Sequence, residues 1–309
     1  MGTGRFFRRV VVSVVVLAAA VPAATTTATA ATRVSNAPVV FVHGFLLNTC
    51  PGTNPNSTFA GAVTALKASG HTGPNDMINY YACDSKGSNI QKSGDPKAYF
   101  STGQYVTGGN TNETDIRHIS YQLAWYLYDT YASKGKTVEL VGHSMGGLII
   151  RWALQQIQVR NPVFPPVLYV QDAVTISAPH LGLKDNTNNV TWCPSSLQCR
   201  QMLPGSSFLN ELNTVGNPQA TGGTDWTVIG GGACDFVTAA QATGAGDVHK
   251  VIYPSKKPVC YNHTSYLTDT SAAADMPVQT RHPGEASLAA GTGMHSMRWM
   301  ASAVMSGSR

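Results

Sequence analysis

The sequence predicts an α/β fold with a mostly parallel central sheet and helices on both faces. Short β-branched, apolar runs alternate along the chain with helical segments, as they do in successive βαβ units. Several of these runs are apolar at consecutive positions, which is typical of strands buried on both faces. The 309 residues are 43% hydrophobic and 12% charged, which excludes a disordered chain.

The first thirty residues have the pattern of a secretory signal peptide. Arg5, Arg8 and Arg9 precede an apolar run over residues 10–21, and Ala28-Thr29-Ala30 is a small-x-small cleavage site. The apolar run is shorter than the roughly 20 residues of a membrane-spanning helix, although an uncleaved anchor stays open as the alternative. We therefore expect a secreted, extracellular protein that is exported by the general secretory route rather than by the twin-arginine route.

The net charge changes once this leader is set aside. The full chain carries 21 basic and 16 acidic residues, a formal charge of +5. Residues 1–30 hold three arginines and no acids, so the remainder has 18 basic and 16 acidic residues and a net charge of +2. No Lys/Arg-rich run is present, and nucleic-acid binding is not predicted. No later segment is apolar over the length of a transmembrane helix.

Six cysteines in a secreted chain suggest three disulfides. Neighbourhood in the sequence favours a bridge between Cys193 and Cys199. The pairing of the other four is open at this point; they are Cys50, Cys83, Cys234 and Cys260. No C-x-x-C or H-E-x-x-H pattern occurs, so a metal site is not predicted.

The first half of the chain after the leader predicts two strands, two helices and a loop. The strands are expected at 38–42 and 77–82, the helices at 58–69 and 113–133, and a long exposed loop at 84–112. The second helix repeats apolar residues at spacings of three and four, and Gly135 ends it.

The second half continues the alternation of strands and helices. Strands are expected at 138–141, 167–176, 226–229 and 248–253, and helices at 146–158 and 285–305. Residues 180–224 show little periodicity and are rich in Asn, Ser, Gly and Pro. No linker separates two domains, so residues 31–309 are expected to form one domain.

A nucleophile motif lies between the strand at 138–141 and the helix that follows it. Gly142-His143-Ser144-Met145-Gly146 fits G-x-S-x-G in the strand–turn–helix setting that a nucleophile elbow requires. Glycines suit this turn because side chains there would collide with the neighbouring strand and helix. The resulting turn holds the Ser144 hydroxyl above the sheet.

At these residues the chain resembles the α/β-hydrolase superfamily, and within it the secreted bacterial lipases and esterases. The matching segments are 39–45, 141–147, 177–182 and the Asp and His segments described next. The resemblance implies a single α/β-hydrolase domain over 31–309 with Ser144 as nucleophile. It also implies an oxyanion hole formed by the backbone N–H groups of Phe45 and Met145.

The superfamily orders its triad as serine, acid and histidine along the chain. Asp235 follows the strand at 226–229 and resembles the acid of the family. Asp225 and Asp247 stand before strands, which is the wrong end of a parallel sheet for chemistry.

His263 lies in a segment that resembles the catalytic-histidine segment of the family. The other candidates for the base are His249, His282 and His295. His143 and His180 lie in family-like motifs, and we interpret both as packing residues.

This triad also bears on the disulfides. Cys234 adjoins Asp235, and Cys260 lies three residues before His263. A bridge between these cysteines would hold the acid and histidine loops near their working geometry. The interpretation pairs Cys234 with Cys260 and leaves Cys50 to pair with Cys83.

The sequence thus predicts a secreted serine carboxylic-ester hydrolase that acts as a monomer on a small-molecule or lipid ester, with no cofactor. A lipase at a lipid–water interface is the first expectation, because residues 181–224 would suit a small cap or lid over an acyl pocket. If the same stretch is only an irregular surface excursion, a short-chain esterase is favoured instead. A polyester depolymerase, an acyltransferase and an inactive binding protein of the same fold remain as alternatives.

Overall fold

The computed structural model describes residues 1–2, 36–47, 50, 52–90, 109–183 and 196–306. The chain divides into two units, residues 1–30 and 31–309. Of the first unit only Met1 and Gly2 are described, so the predicted signal peptide lies almost wholly outside the described residues. Cys193 also lies outside them, and so do residues 184–195 of the predicted cap.

The second unit is built on one eight-stranded sheet. Its strands are β1 (Val39–Val42), β2 (Asn75–Ile78), β3 (Val138–His143), β4 (Val170–Ile176), β5 (Asp225–Gly230), β6 (His249–Ile252), β7 (Met276–Arg281) and β8 (Ala289–Gly293). Their order across the sheet is β2-β1-β3-β4-β5-β6-β7-β8. Strands β1 to β6 are parallel, whereas β7 and β8 pair antiparallel at one edge. The prediction of a mostly parallel α/β sheet is confirmed.

Eight α-helices accompany the sheet in the described part of the chain. They are α1 (Pro55–Thr58), α2 (Ala60–Ala68), α3 (Ile116–Thr130), α4 (Met145–Gln158), α5 (Leu197–Gln201), α6 (Ser207–Leu212), α7 (Ala239–Thr243) and α8 (Ser296–Ser306). No helix among the described residues has the length and hydropathy that a membrane span needs.

The sheet is covered on both faces, as its apolar strands predict. Alternate side chains of a strand point to opposite faces. In β1, Val40 and Val42 join a buried cluster with residues of α3 and α4. Val39 and Phe41 join a second buried cluster with residues of α2 and α8. A strand buried on both sides needs apolar residues at every position, and β1 has them.

The predicted helix at 285–305 is wrong in its first half. Residues Ala289–Gly293 form the exposed edge strand β8, which pairs with β7, and the helix begins only at Ser296. Two glycines in a five-residue segment give it low helix propensity, and pairing with a neighbouring strand decides its conformation. Strand β7 itself was not predicted.

The region after β2 also differs from its prediction. The strand expected at 77–82 ends at Ile78. The following loop, predicted to be exposed, buries Asp84, Ile90 and Asn110. Residues 91–108 of that loop lie outside the described residues. The buried carboxylate of Asp84 organises the chain here, as described below.

Candidate active site

The carboxyl ends of neighbouring parallel strands bring the chemical groups together. The segment from His43 to Phe45 follows β1, Ser144 follows β3, and Asp235 lies five residues beyond β5. His263 is in the loop after β6. Active sites of open α/β sheets lie at this edge because loops from several strands meet there.

The turn at Ser144 is strained and tightly packed. Ser144 has φ of 54° and ψ of −129°, a region that residues other than glycine rarely occupy. A Cβ on Gly146 would collide with the carbonyl oxygens of Val42 and His43. The elbow therefore requires glycine there, and it presents the Ser144 hydroxyl directly beyond the end of β3.

Ser144, His263 and Asp235 form a hydrogen-bonded chain. Ser144 Oγ lies 2.8 Å from His263 Nε2, and His263 Nδ1 lies 3.1 Å from Asp235 Oδ1. The Asp235 carboxylate is buried, while the His263 side chain is 17% exposed. This arrangement can remove a proton from a serine hydroxyl, because the imidazole is bonded to the hydroxyl on one side and to a carboxylate on the other.

A second serine, Ser177, supports the acid. Its hydroxyl donates to Asp235 Oδ2 and lies 3.0 Å from His263 Nδ1. Ser177 is fully buried at the end of β4, with φ of 47°. Sequence reasoning used its segment only as a family match and gave Ser177 no role. Its place directly after a predicted strand was the available signal.

His143 and His180 are buried, and each forms a hydrogen bond to a group near the site. His143 Nε2 lies 2.7 Å from the backbone oxygen of His263. Burial, and after it the neighbouring His263, lowers the pKa of His143 to about 3, so the neutral ring donates to that oxygen. His180 Nε2 lies 2.9 Å from Thr175 Oγ1, and burial lowers its pKa well below the usual value. Each ring is thus held by a hydrogen bond to a neighbouring group.

The other candidate acids, Asp225 and Asp247, and two other candidate histidines, His249 and His282, make their contacts elsewhere. His249 Nδ1 lies 2.9 Å from His282 Nδ1, and His249 Nε2 lies 3.4 Å from Asp225. Asp247 forms an ion pair with Arg281 at 2.8 Å. Asp225 and His249 are the first residues of β5 and β6, and Arg281 is the last residue of the antiparallel β7, so these contacts lie at the opposite end of the strands from the elbow.

His295 is also engaged in a cluster of its own. It lies just before α8, and its ring nitrogens are 2.6 Å from Asp269 and 2.8 Å from Asp275. Burial alone would lower the pKa of His295, but the hydrogen bonds to the two carboxylates outweigh it and raise the pKa. The cluster joins the loop after His263 to the start of α8.

The segment that would supply the oxyanion hole lies directly against Ser144. A Cβ on Gly44 would lie 2.7 Å from Ser144 Cβ, so only glycine allows this approach. Phe45 borders both cavities beside Ser144. Met145 is the first residue of α4, where a backbone N–H has no acceptor within the helix. The helix N-terminus also favours negative charge.

A buried carboxylate anchors that segment. Asp84 Oδ2 accepts hydrogen bonds from the backbone N–H groups of Tyr80 and Tyr81, both at 2.9 Å, and lies 3.0 Å from His43 Nε2. The Tyr80 ring stacks on His43 at 4.1 Å, and its hydroxyl donates to the Gly44 oxygen at 2.7 Å. Sequence reasoning missed both Asp84 and Tyr80, because their role depends on contacts between distant loops.

Two disulfides lie next to the carboxylates of Asp84 and Asp235. Cys50 is joined to Cys83, which precedes Asp84, and Cys234 is joined to Cys260. Cys234 precedes Asp235 directly in the chain. Cys199 is also disulfide-bonded.

Two cavities open beside Ser144 and His263. The apolar pocket, of about 440 Å³, is lined by Phe45, Leu47, Leu183, Met202 and Phe236. The hydroxyl-lined pocket, of about 510 Å³, is lined by Thr53, Ser57, Thr58, Asn262, Thr264, Ser265 and Thr268, by the apolar side chains of Leu46 and Leu267, and by residues of the elbow and of the oxyanion segment. Leu183 and Met202 come from the stretch predicted as a cap, so its described part contributes a wall to the apolar pocket. No group of three or more metal-binding side chains occurs among the described residues.

Solved structures with similar folds include three lipolytic enzymes. Aspergillus fumigatus lipase B is 18% identical over 62% of this chain and 37% of its own, with a TM-score of 0.39. Legionella pneumophila phospholipase PlaB is 16% identical over 63% and 39%, with a TM-score of 0.39. The mature Bacillus licheniformis lipase BlEst2 is 16% identical over 63% and 65%, with a TM-score of 0.39. The chain thus spans less than two thirds of each of these proteins.

No curated protein matches the sequence. A family model described as "Putative serine esterase (DUF676)" matches residues 37–210, which is more than half of the chain and includes β1, the elbow and the Ser177 segment. The chain belongs to this DUF676 serine esterase family, within the α/β-hydrolase superfamily.

Proposed function

We propose that this protein is a secreted serine carboxylic-ester hydrolase, a lipase, in which Ser144, His263 and Asp235 are the catalytic residues. The observation that carries the proposal is the hydrogen-bonded chain from Ser144 Oγ through the His263 ring to the buried Asp235 carboxylate. It stands at the open end of the sheet, between two cavities that are large enough for the two halves of an ester.

The proposed reaction has two half-reactions. Ser144 Oγ attacks the ester carbonyl while His263 Nε2 takes its proton, and the N–H groups of Phe45 and Met145 stabilise the negative oxygen. The proton then passes to the alcohol, which leaves an acyl-enzyme. Water, deprotonated by His263, releases the acid and restores Ser144. Asp235 orients the ring throughout, and the reaction needs no cofactor.

Exposed apolar side chains around the apolar pocket favour a lipid substrate. Leu47 is 53% exposed and Phe236 47%, and both line this pocket. Leu181 and Leu203 are also exposed, and they are near in the chain to two further lining residues, Leu183 and Met202, whose backbones are hydrogen-bonded to each other. Apolar groups clustered at the mouth of a site are typical of binding to a lipid surface.

Secretion is proposed from the leader and supported by the disulfides. Residues 1–30 have the charged, apolar and small-residue regions of a signal peptide in the expected order. Bridges such as Cys50–Cys83 and Cys234–Cys260 persist in oxidising compartments.

The test is an ester panel of increasing acyl length, assayed below and above the aggregation threshold of each substrate with wild type and Ser144→Ala. A lipase prefers long acyl chains and gains activity at the interface, and Ser144→Ala abolishes hydrolysis. Preference for acetate or butyrate would show a short-chain esterase instead. Release of oligomers from polyester films, or acyl transfer to an added alcohol in place of hydrolysis, would point to a depolymerase or an acyltransferase.

A further inference from the structure

The two cavities at Ser144 differ in the chemistry of their walls. The apolar pocket borders Ser144 and His263, and its other described lining residues all have hydrocarbon or thioether side chains. Such a wall suits the acyl chain of an ester. The hydroxyl-lined pocket is formed by the segment that carries His263, by residues 53–58 and by the segment after β1, and its wall combines seven hydroxyl or amide side chains with the apolar side chains of Phe45, Leu46 and Leu267. Since His263 returns the proton to the leaving alcohol, that alcohol has to lie within about 3 Å of the His263 ring.

Several hydroxyl groups of this second pocket already donate their hydrogens to protein oxygens, and the hydroxyls of Thr53 and Thr58 lie 3.1 Å apart. Ser57 Oγ and Thr58 Oγ1 donate to the backbone oxygen of Asn54 at 2.9 and 3.2 Å. Thr268 Oγ1 donates to the oxygen of Ser265 at 3.1 Å. A hydroxyl that has donated its one hydrogen keeps its lone pairs as acceptors. A ligand that forms hydrogen bonds with these hydroxyl oxygens therefore needs donors of its own, such as O–H groups.

The wall carries little charge. Among its described residues the ionisable side chains are His43, His143 and His263. His43 is bonded to Asp84, and burial keeps His143 neutral by lowering its pKa to about 3. No lysine or arginine occurs among the described lining residues, whereas binding of a phosphate group generally uses such cations.

We propose that the hydroxyl-lined pocket binds the alcohol part of the ester and selects an uncharged alcohol that keeps several free hydroxyl groups, as in a sugar or glycerol monoester. The inference rests on the proposed function. As the bond from the carbonyl carbon to Ser144 Oγ forms, the bond to the alcohol oxygen breaks, and the serine proton passes through His263 to that oxygen. The polyhydroxy alcohol leaves from this pocket, and water replaces it.

The first test compares four octanoyl esters at concentrations below their aggregation thresholds: methyl octanoate, mono-octanoylglycerol, 6-O-octanoylglucose and octanoylglycerophosphocholine. We expect kcat/KM for the glucose or glycerol ester to exceed that for the methyl ester by about tenfold, the equivalent of one or two net hydrogen bonds. The better of these two esters identifies the kind of alcohol. A methyl or phosphocholine ester that is hydrolysed equally well overturns the proposal.

The second test removes single hydroxyls from the wall of the pocket. Thr58→Val is expected to raise KM for the preferred polyol ester about fivefold and that for the methyl ester clearly less, and Ser57→Ala should act in the same direction. Thr64→Val is the matched control, because Thr64 makes the same bond to the carbonyl four residues earlier but lies outside the pocket. Equal effects on both esters, or no effect, contradict the proposal.

Failure of this inference is distinguishable from failure of the proposed function. If only the inference fails, the esters are still hydrolysed in a Ser144-dependent manner but without regard to the alcohol. If the proposed function fails, no ester is hydrolysed, or Ser144→Ala hydrolyses them as fast as wild type.

Discussion

Two pairs of aspartate and histidine flank Ser144, and they differ in what the second ring nitrogen contacts. In both pairs the aspartate follows a disulfide-bonded cysteine directly. His263 is bonded to Asp235 through Nδ1 and to the Ser144 hydroxyl through Nε2. His43 is bonded to Asp84 through Nε2, and its Nδ1 lies 2.9 Å from the Gly44 oxygen.

Burial separates the two pairs as well. The His43 side chain is 2% exposed, and that of His263 is 17% exposed and borders both cavities. An Asp–His pair acts as a base only where its free nitrogen meets a reacting group. An Asp–His pair whose second ring nitrogen faces a backbone oxygen instead holds a loop in place. We therefore assign His263 to proton transfer and the Asp84–His43 pair to holding the oxyanion segment.

The largest expected difference between the pairs concerns the two histidines. His263→Ala should lower kcat by about 10⁶, since loss of the base removes activation of the nucleophile. His43→Gln, which keeps a side-chain donor, should lower kcat by no more than about 10³, the range for a damaged oxyanion hole. Steady-state kinetics with a soluble ester measure both. If His263→Ala stays active while His295→Ala does not, the base is assigned wrongly.

The two aspartates should differ in the same direction. Asp235→Asn is expected to lower kcat by about 10⁴, because the carboxamide no longer favours the ring orientation and charge that proton transfer needs. Asp84→Asn should lower kcat by about 10². The amide has one oxygen instead of two, and its NH₂ group cannot accept hydrogen bonds from the backbone N–H groups that Asp84 binds. KM is expected to change less than kcat in both variants. Equal losses in the two variants would remove the distinction between the pairs.

The disulfides offer a comparison in stability. The bridges span 33 and 26 residues, so loop entropy predicts that each contributes about 3 to 4 kcal/mol to the free energy of unfolding. Denaturant titration of the double variants Cys50→Ser/Cys83→Ser and Cys234→Ser/Cys260→Ser measures it. Near-equal losses of stability are expected. Peptide mapping without reduction that finds Cys234 joined to another cysteine would contradict this pairing.

Supporting residues close to the base should have smaller effects. Ser177→Ala removes the hydroxyl that donates to Asp235 and is expected to lower kcat about tenfold, the value of one hydrogen bond to a charged group. Thr243→Ala is a suitable control, because its hydroxyl bonds a helix carbonyl at 2.7 Å and lines neither cavity. A Ser177→Ala enzyme with unchanged kcat would show that Asp235 needs no such support.

A separate expectation concerns the pH dependence of stability. His143 has a pKa of about 3 in the folded protein and about 6.5 in an unfolded chain. Between these values the unfolded state binds more protons, so stability falls as the pH falls from 6.5 towards 3. His143→Gln should therefore show a shallower fall in its unfolding midpoint over this range. Parallel curves for variant and wild type would contradict the assignment of a buried, neutral His143.

Local sequence patterns predict the parallel strands and the position of Ser144, but not the tertiary contacts around the site. Apolar runs at consecutive positions predict buried parallel strands, and the elbow motif places Ser144 at the end of one of them. Asp235 and His263 followed from the resemblance to a family, and the structure places them in a chain with Ser144.

The features that were missed depend on tertiary contacts. Asp84 accepts hydrogen bonds from the loop after β1 and from its own loop after β2, and its own segment reads as an exposed loop. Strand β8 has the composition of a turn and is extended because β7 pairs with it. Neither feature leaves a periodic pattern in the sequence.

The central claim is that Ser144 is a nucleophile activated by His263. The most direct test is intact-mass and peptide analysis after treatment with a fluorophosphonate. Wild type should gain one phosphonyl group, on the peptide that contains Ser144, and His43→Gln should react more slowly at the same residue. His263→Ala should stay unmodified while folded. Failure of folded wild type to react would indicate a binding protein of this fold, and equal labelling of His263→Ala would contradict the assignment of the base.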